Sequence, residues 1–149
     1  MKEVQRGKVL AVNISEKKGT RKTNVQSCVA MKDFGLKDDA HGGPWHRQVS
    51  LLANESIEKM KAMGLKVGYG DFAENITTEG VDLVHLPIGT TIRIGDAVTL
   101  RVTQIGKVCH ERCAIYYQAG DCVMPKEGIF AEVVKEGNIQ VEDEIVVEA

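Results

Sequence analysis

Apolar and polar positions along this chain alternate in short runs, and glycine, proline or clustered charge separates one run from the next. Lys8–Ser15 alternates and is rich in β-branched residues, which predicts a strand. Gln26–Met31 reads as a short apolar strand with Cys28 as a core residue, and Val49–Leu52 resumes the apolar pattern. Val81–Leu86, Thr91–Ile94, Ala97–Ile105, Gly128–Val134 and Ile139–Val147 continue it. One stretch departs from the two-residue period. In Asn54–Gly64, Ile57, Met60 and Met63 recur at helical spacing and are expected to face the core. Asn54 is expected to cap this helix, Gly64 to end it, and Glu55 and Lys59 to pair across one turn. Short strands at regular spacing with one or two helices predict a β-rich barrel or sandwich.

The irregular segments between these elements hold the reactive side chains. Phe34–Gln48 is broken by glycine, proline and aspartate, yet it carries His41, Trp45, His46 and Arg47, and Gly42-Gly43 allows close backbone approach or positive φ. Gly68–Thr78 brings Asp71, Glu74 and Asn75 together, either to bind a cation or ligand or to form side-chain-stabilised turns. The loop Ser15–Lys22 gathers four positive charges, so Arg21 or Lys22 could contact an anion, although a solvated hairpin tip also fits. Gly106–Cys113, directly after the clearest strand, sets Cys109 and Cys113 among Lys107, His110 and Arg112. Neighbouring positive charge favours the thiolate, which is the form that attacks and that binds metals.

Composition narrows the classes. The chain has 149 residues, 43% of them hydrophobic and 27% charged, which fits one soluble domain spanning residues 1–149. The 19 basic and 21 acidic residues nearly cancel, so the balance gives no sign of nucleic-acid binding. No apolar run approaches the roughly 18 residues of a membrane span. The charged start, Met1–Arg6, lacks an apolar signal segment, so a cytoplasmic location is expected. In such a reducing compartment four cysteines point to catalysis, metal binding or burial rather than to disulfides. No dinucleotide-type or P-loop glycine turn and no internal repeat is present.

Several stretches together resemble the MOSC domain family (molybdenum cofactor sulfurase C-terminal domain) in its small, stand-alone bacterial form. They are Asp39–Gly43, Arg47–Leu52, Gly70–Thr77, Leu86–Thr90, Ile94–Asp96, Gly106–His110 and Gly120–Phe130. The resemblance implies a MOSC-like closed or nearly closed β-barrel. It also implies a molybdenum–pterin cofactor, and a cysteine that serves as metal ligand or sulfur carrier. That cysteine falls on Cys109, with Cys113 as the second candidate and His110 beside them. Lys22, His41, Gly42, Gly43, Arg47, Asn75, Thr77 and Lys107 are the expected cofactor contacts. Reduction of N-hydroxylated substrates, or sulfur delivery with partners from cofactor biosynthesis or molybdoenzymes, would follow. Two other classes remain: a structural zinc module built on Cys109, Cys113 and Cys122 with His110 or His41, and a cofactor-binding or sensing domain without chemistry.

Overall fold

The protein was analysed as a computed structural model that describes residues 4–16, 22–40, 42–64, 66–72, 74–105 and 128–148. Among the described residues, eleven strands and one helix follow in the order β1 (Val4–Ile14), β2 (Thr23–Val25), β3 (Ser27–Met31), β4 (Gly35–Leu36), β5 (Val49–Ala53), α1 (Asn54–Ala62), β6 (Ile76–Glu79), β7 (Thr91–Ile94), β8 (Val98–Ile105), β9 (Ile129–Lys135), β10 (Gly137–Gln140) and β11 (Glu144–Glu148).

Seven of these strands close on themselves. The pairing runs β11-β7-β8-β9-β5-β6-β1, and β1 pairs back to β11, giving a closed seven-stranded barrel with β2 added at the end of β1. Among the described strands only β5 and β6 pair in parallel, and they do so because α1 carries the chain back between them. The barrel expectation is met. β3, β4 and β10 form a separate small sheet.

Alternation decides which side chains enter the barrel. Val49, Leu51 and Ala53 of β5 join the large inner cluster with Val9, Leu100, Ile129, Ala131 and Ile145. Leu52, on the opposite face of β5, packs with Ile57, Met60, Val67, Phe72 and Phe130 under the helix. Both faces of β5 are thus covered, which explains why all five of its residues are buried, Ser50 included, where alternation would leave one face wet.

Four local expectations are corrected. Asn54 does not cap α1: the cap position is Ala53, still extended at φ −73° and ψ 139°, and it makes no side-chain cap bond. The strand β5 runs straight into the helix, so Asn54 already lies inside the first turn, and its Oδ1 is buried without a partner among the described residues. Met63 is 60% exposed, whereas Ile57 and Met60 are buried. Gly64 does end the helix, at φ 93°, with its N–H donating to Lys61 O. Val81–Leu86 is not a strand. Its alternation reflects Val81, Leu83 and Leu86 packing on the barrel core from an irregular segment that closes with a turn from Leu86 N to Leu83 O. Ile139–Val147 is two strands rather than one. The chain turns at Glu142, at φ 80°, so β10 serves the small sheet while β11 closes the barrel. Among the described residues no helix is long and apolar enough to cross a membrane.

Candidate functional site

The chemistry-bearing side chains collect on the outer face of β9, β5, β6 and β1. One ladder row crosses these strands: Ile105 opposite Ile129, Ile129 opposite Leu51, Leu51 opposite Ile76 and Ile76 opposite Val12. These side chains are apolar, and all but Ile105 belong to the inner cluster. Their neighbours Gln104, Phe130, Ser50, Asn75 and Asn13 therefore turn to the other side, where loops cover them.

Asn75 is the hub of that outer face. Its Nδ2 donates to Asp39 Oδ2 and to Asn13 O, both at 3.1 Å. Its Oδ1 accepts from Ser50 N at 2.9 Å and from Ser50 Oγ at 3.1 Å. Asp39 in turn receives Lys22 Nζ at 2.6 Å and Ser15 N at 3.0 Å, both on Oδ1. The Lys22 and Asp39 side chains are 1% and 0% exposed. A charge pair this dry is costly to break, by about 3–5 kcal/mol, because the remaining partner is left charged without water. Three segments distant in sequence, around residues 13–15, 22–24 and 36–40, are thereby tied to the start of β6. Nearby, Thr77 Oγ1 accepts from Asn13 Nδ2 at 3.1 Å and donates to Glu74 Oε2 at 2.7 Å. Gly70 N also donates to that oxygen, at 3.0 Å, while Glu74 Oε1 is buried without a partner among the described residues. Burial pushes the Glu74 carboxyl above the ordinary carboxylate range, against the opposing pull of the Thr77 and Gly70 hydrogen bonds.

Next to this lattice stands a half-buried cation. The Arg47 guanidinium lies 5.3 Å over the Phe130 ring, and its Nε donates to Gln104 Oε1 at 3.0 Å. His46 Nε2 lies 2.9 Å from the same oxygen, which can only accept, so Nε2 is the donor of this contact. Thr103 Oγ1 donates to His46 O, and Trp45 packs edge-on to the His46 ring at 5.9 Å. The loop 42–48 is thus fastened to the last residues of β8. Among the described residues the Arg47 terminal amino groups have no hydrogen-bonding partner.

The expected site residues fall into three sets. Arg47 stands at the surface of this face, with Gly42 and Gly43 just before it in the same loop. Gly42 makes room inside the protein, since a Cβ there would meet the Phe34 ring at 2.4 Å. Lys22, Asn75 and Thr77 lie in the lattice, with their polar atoms turned toward Asp39, Asn13, Ser50 and Glu74. Cys109, Cys113, His110, Lys107, Cys122 and His41 lie outside the described residues, as does Arg21. The described ends of the segment that carries both candidate thiols are nevertheless fixed. Ile105 and Ile129 are opposite one another, one residue from Gln104 and Phe130.

Sequence reading missed Asp39 as the anchor, and it missed Gln104 and Phe130 as supports for Arg47. Gln104 looked like one polar member of an alternating strand, and Phe130 like core. Nothing in either local pattern names a partner more than fifty residues away. Asp71 and Glu74 form turn contacts, Asp71 Oδ2 accepting from Gly68 N at 2.8 Å. Among the described residues no group of three His, Cys, Asp or Glu side chains could hold a metal. Cys28 is half-buried against the core and directed at Lys37 O; burial, with Asp38 and Asp39 nearby, pushes its thiol up and keeps it protonated.

The fold is shared with known structures. It is similar to that of the YUAD protein from Bacillus subtilis, with TM-score 0.83 and 18% identity over 100% of this chain and 99% of that one. YiiM from Geobacillus stearothermophilus follows at TM-score 0.70 and 18% identity, covering 95% of this chain and 74% of that one. YiiM from Escherichia coli gives 0.66 and 18%, over 95% and 69%. No curated protein matches the sequence. A family model described as the MOSC domain matches residues 37–146, which takes in Asp39, the Arg47 loop, β5 to β10 and most of β11. The chain belongs to the MOSC domain family, which is associated with molybdenum-cofactor-related proteins.

Proposed function

We propose that this MOSC domain binds the molybdenum–pterin cofactor on the outer face of β8 and β9, with Cys109 as the metal-ligating or sulfur-carrying thiolate and Cys113 as its alternate. The observation that carries the reading is the placement of Arg47. A half-buried guanidinium is held on one edge by Gln104 and from below by Phe130, and these two supports adjoin Ile105 and Ile129, the paired residues that flank the thiol-bearing segment.

The described residues fit the group. A guanidinium fixed through Nε presents its remaining amino groups as a planar fork, which matches a phosphate. Trp45 is 39% exposed and, with His46, offers ring surface for a flat heterocycle. When bound, the group supplies a molybdenum centre that accepts soft thiolate ligands. Lys22, Asn75 and Thr77 then act as supports rather than contacts, because Lys22 and Asn75 hold the 36–48 segment through Asp39 and Thr77 ties Asn13 to Glu74. His41, Gly43, Lys107 and His110 complete the proposed surroundings of the cofactor, Lys107 and His110 favouring the thiolate by their charge.

The test is molybdenum and pterin content after production in a host that makes the cofactor. Elemental analysis and fluorescence of the oxidised pterin would be applied to wild type, Cys109→Ala, Cys113→Ala and Arg47→Ala. Stoichiometric molybdenum and pterin in wild type is expected, with metal lost in Cys109→Ala and pterin affinity lowered about ten-fold or more in Arg47→Ala. Full retention in Arg47→Ala would remove this face from the site. Zinc without pterin would replace the reading with a structural metal module.

A further inference from the structure

A second cationic feature lies elsewhere on the barrel and shares no residue with the Arg47 site. Five strands contribute one side chain each to a single ladder row: Arg6 opposite Val146, Val146 opposite Arg93, Arg93 opposite Thr99 and Thr99 opposite Lys135. Ile145 and Val147, the neighbours of Val146, are fully buried in the barrel core, so this row faces outward. A cleft of about 440 Å³ lies over it, walled at one end by the turn Gly95–Ala97.

Cations sit on alternate strands, so successive ones are about 10 Å apart at the backbone. Their present partners draw the two arginines in opposite directions along β11. Arg6 reaches Glu144 at 3.2 Å and Arg93 reaches Glu148 at 2.7 Å. The Arg6 pair is 64% and 62% exposed, and pairs of that kind contribute little because water screens them. Glu144 also has Lys8 directly across the strands, so it keeps a neighbouring cation if Arg6 turns away. Lys135 has no carboxylate partner among the described residues.

We infer that this row is a binding site for a pyrophosphate-type polyanionic group, which Arg6 and Arg93 hold at its two ends with Lys135 and the Thr99 hydroxyl alongside. Two guanidiniums held apart match two phosphoryl centres better than one, and each can engage oxygens with its own fork. The inference does not depend on the cofactor reading.

Inorganic pyrophosphate titrated into the full chain at low salt, followed through arginine Nε–Hε NMR signals, tests it. Saturable shifts at Arg6 and Arg93 are expected, with affinity about ten-fold lower in Arg93→Gln and unchanged in Lys61→Gln, a change on the exposed face of α1. Orthophosphate should bind at least ten-fold more weakly. Equal binding of orthophosphate, an equal loss in Lys61→Gln, or shifts without saturation would overturn the site and leave only diffuse charge attraction. All these residues are exposed or half-buried, so the variants should fold.

Discussion

Glu74 shows how one buried side chain can set a pH response. It has no exposed surface, and among the described residues one carboxyl oxygen takes two hydrogen bonds while the other takes none. Burial disfavours the charged form, so its pKa in the folded protein is raised above the ordinary glutamate value of 4.5. A carboxyl whose folded pKa exceeds its unfolded pKa binds its proton more tightly when folded. Its stabilising contribution is full below about pH 4.5 and is lost as pH rises through the raised value. Glu74→Gln removes the titration while keeping the shape. Wild-type stability relative to Glu74→Gln should therefore fall across that window and then level off, as read from urea unfolding of both proteins over a pH series. A difference constant with pH would show that Glu74 ionises normally.

Among the elements, α1 is the clearest case of period being right and phase being slightly wrong. Helical spacing marks Ile57, Met60 and Met63 alike, but a nine-residue helix held by one face buries only the first two. Met63 falls at the C-terminal cap, where the chain is already turning toward Gly64. Met60→Ala should cost about 2–5 kcal/mol through lost burial and a cavity beside Leu52 and Phe72. Met63→Ala should stay within about 0.5 kcal/mol. Chemical denaturation of the two variants separates them, and comparable losses would mean that the helix is rotated from the orientation described. Cap identity was not readable for a related reason. Asparagine before a periodic run normally starts a helix, but here the helix begins from a strand whose direction β6 and β9 fix.

At the scale of the whole molecule, closure depends on the last strand. β11 pairs with β1 over Val4–Lys8 and with β7 over Thr91–Ile94, so it joins the two ends of the ring. Ile145 and Val147 are fully buried in the core it seals. Deleting residues 142–149 would open two strand edges and uncover the barrel interior at once. The truncated chain should lose its single cooperative unfolding transition and expose apolar surface, seen as dye binding and broadened NMR signals. A truncated protein that still unfolded in one sharp transition would show that the ring is not the cooperative unit.

The sequence by itself determined the class of the molecule. The two-residue period names β strands wherever a strand has one buried face, as in Thr91–Ile94 and Val98–Ile105, and the ordered stretches from Asp39 to Phe130 carry the family likeness. Arg47 was legible as a candidate because a cation beside glycines, a tryptophan and a histidine has little reason to be core. What only the tertiary structure decided is partnership. Lys22 and Asn75 look like ligands for an outside molecule because polar side chains in loops usually face water. Here Asp39, Asn13 and Ser50 arrive from other segments and bury them. Hydrogen-bond partners that lie tens of residues apart leave no periodicity in the chain, so which protein groups these side chains meet is set only when the barrel closes.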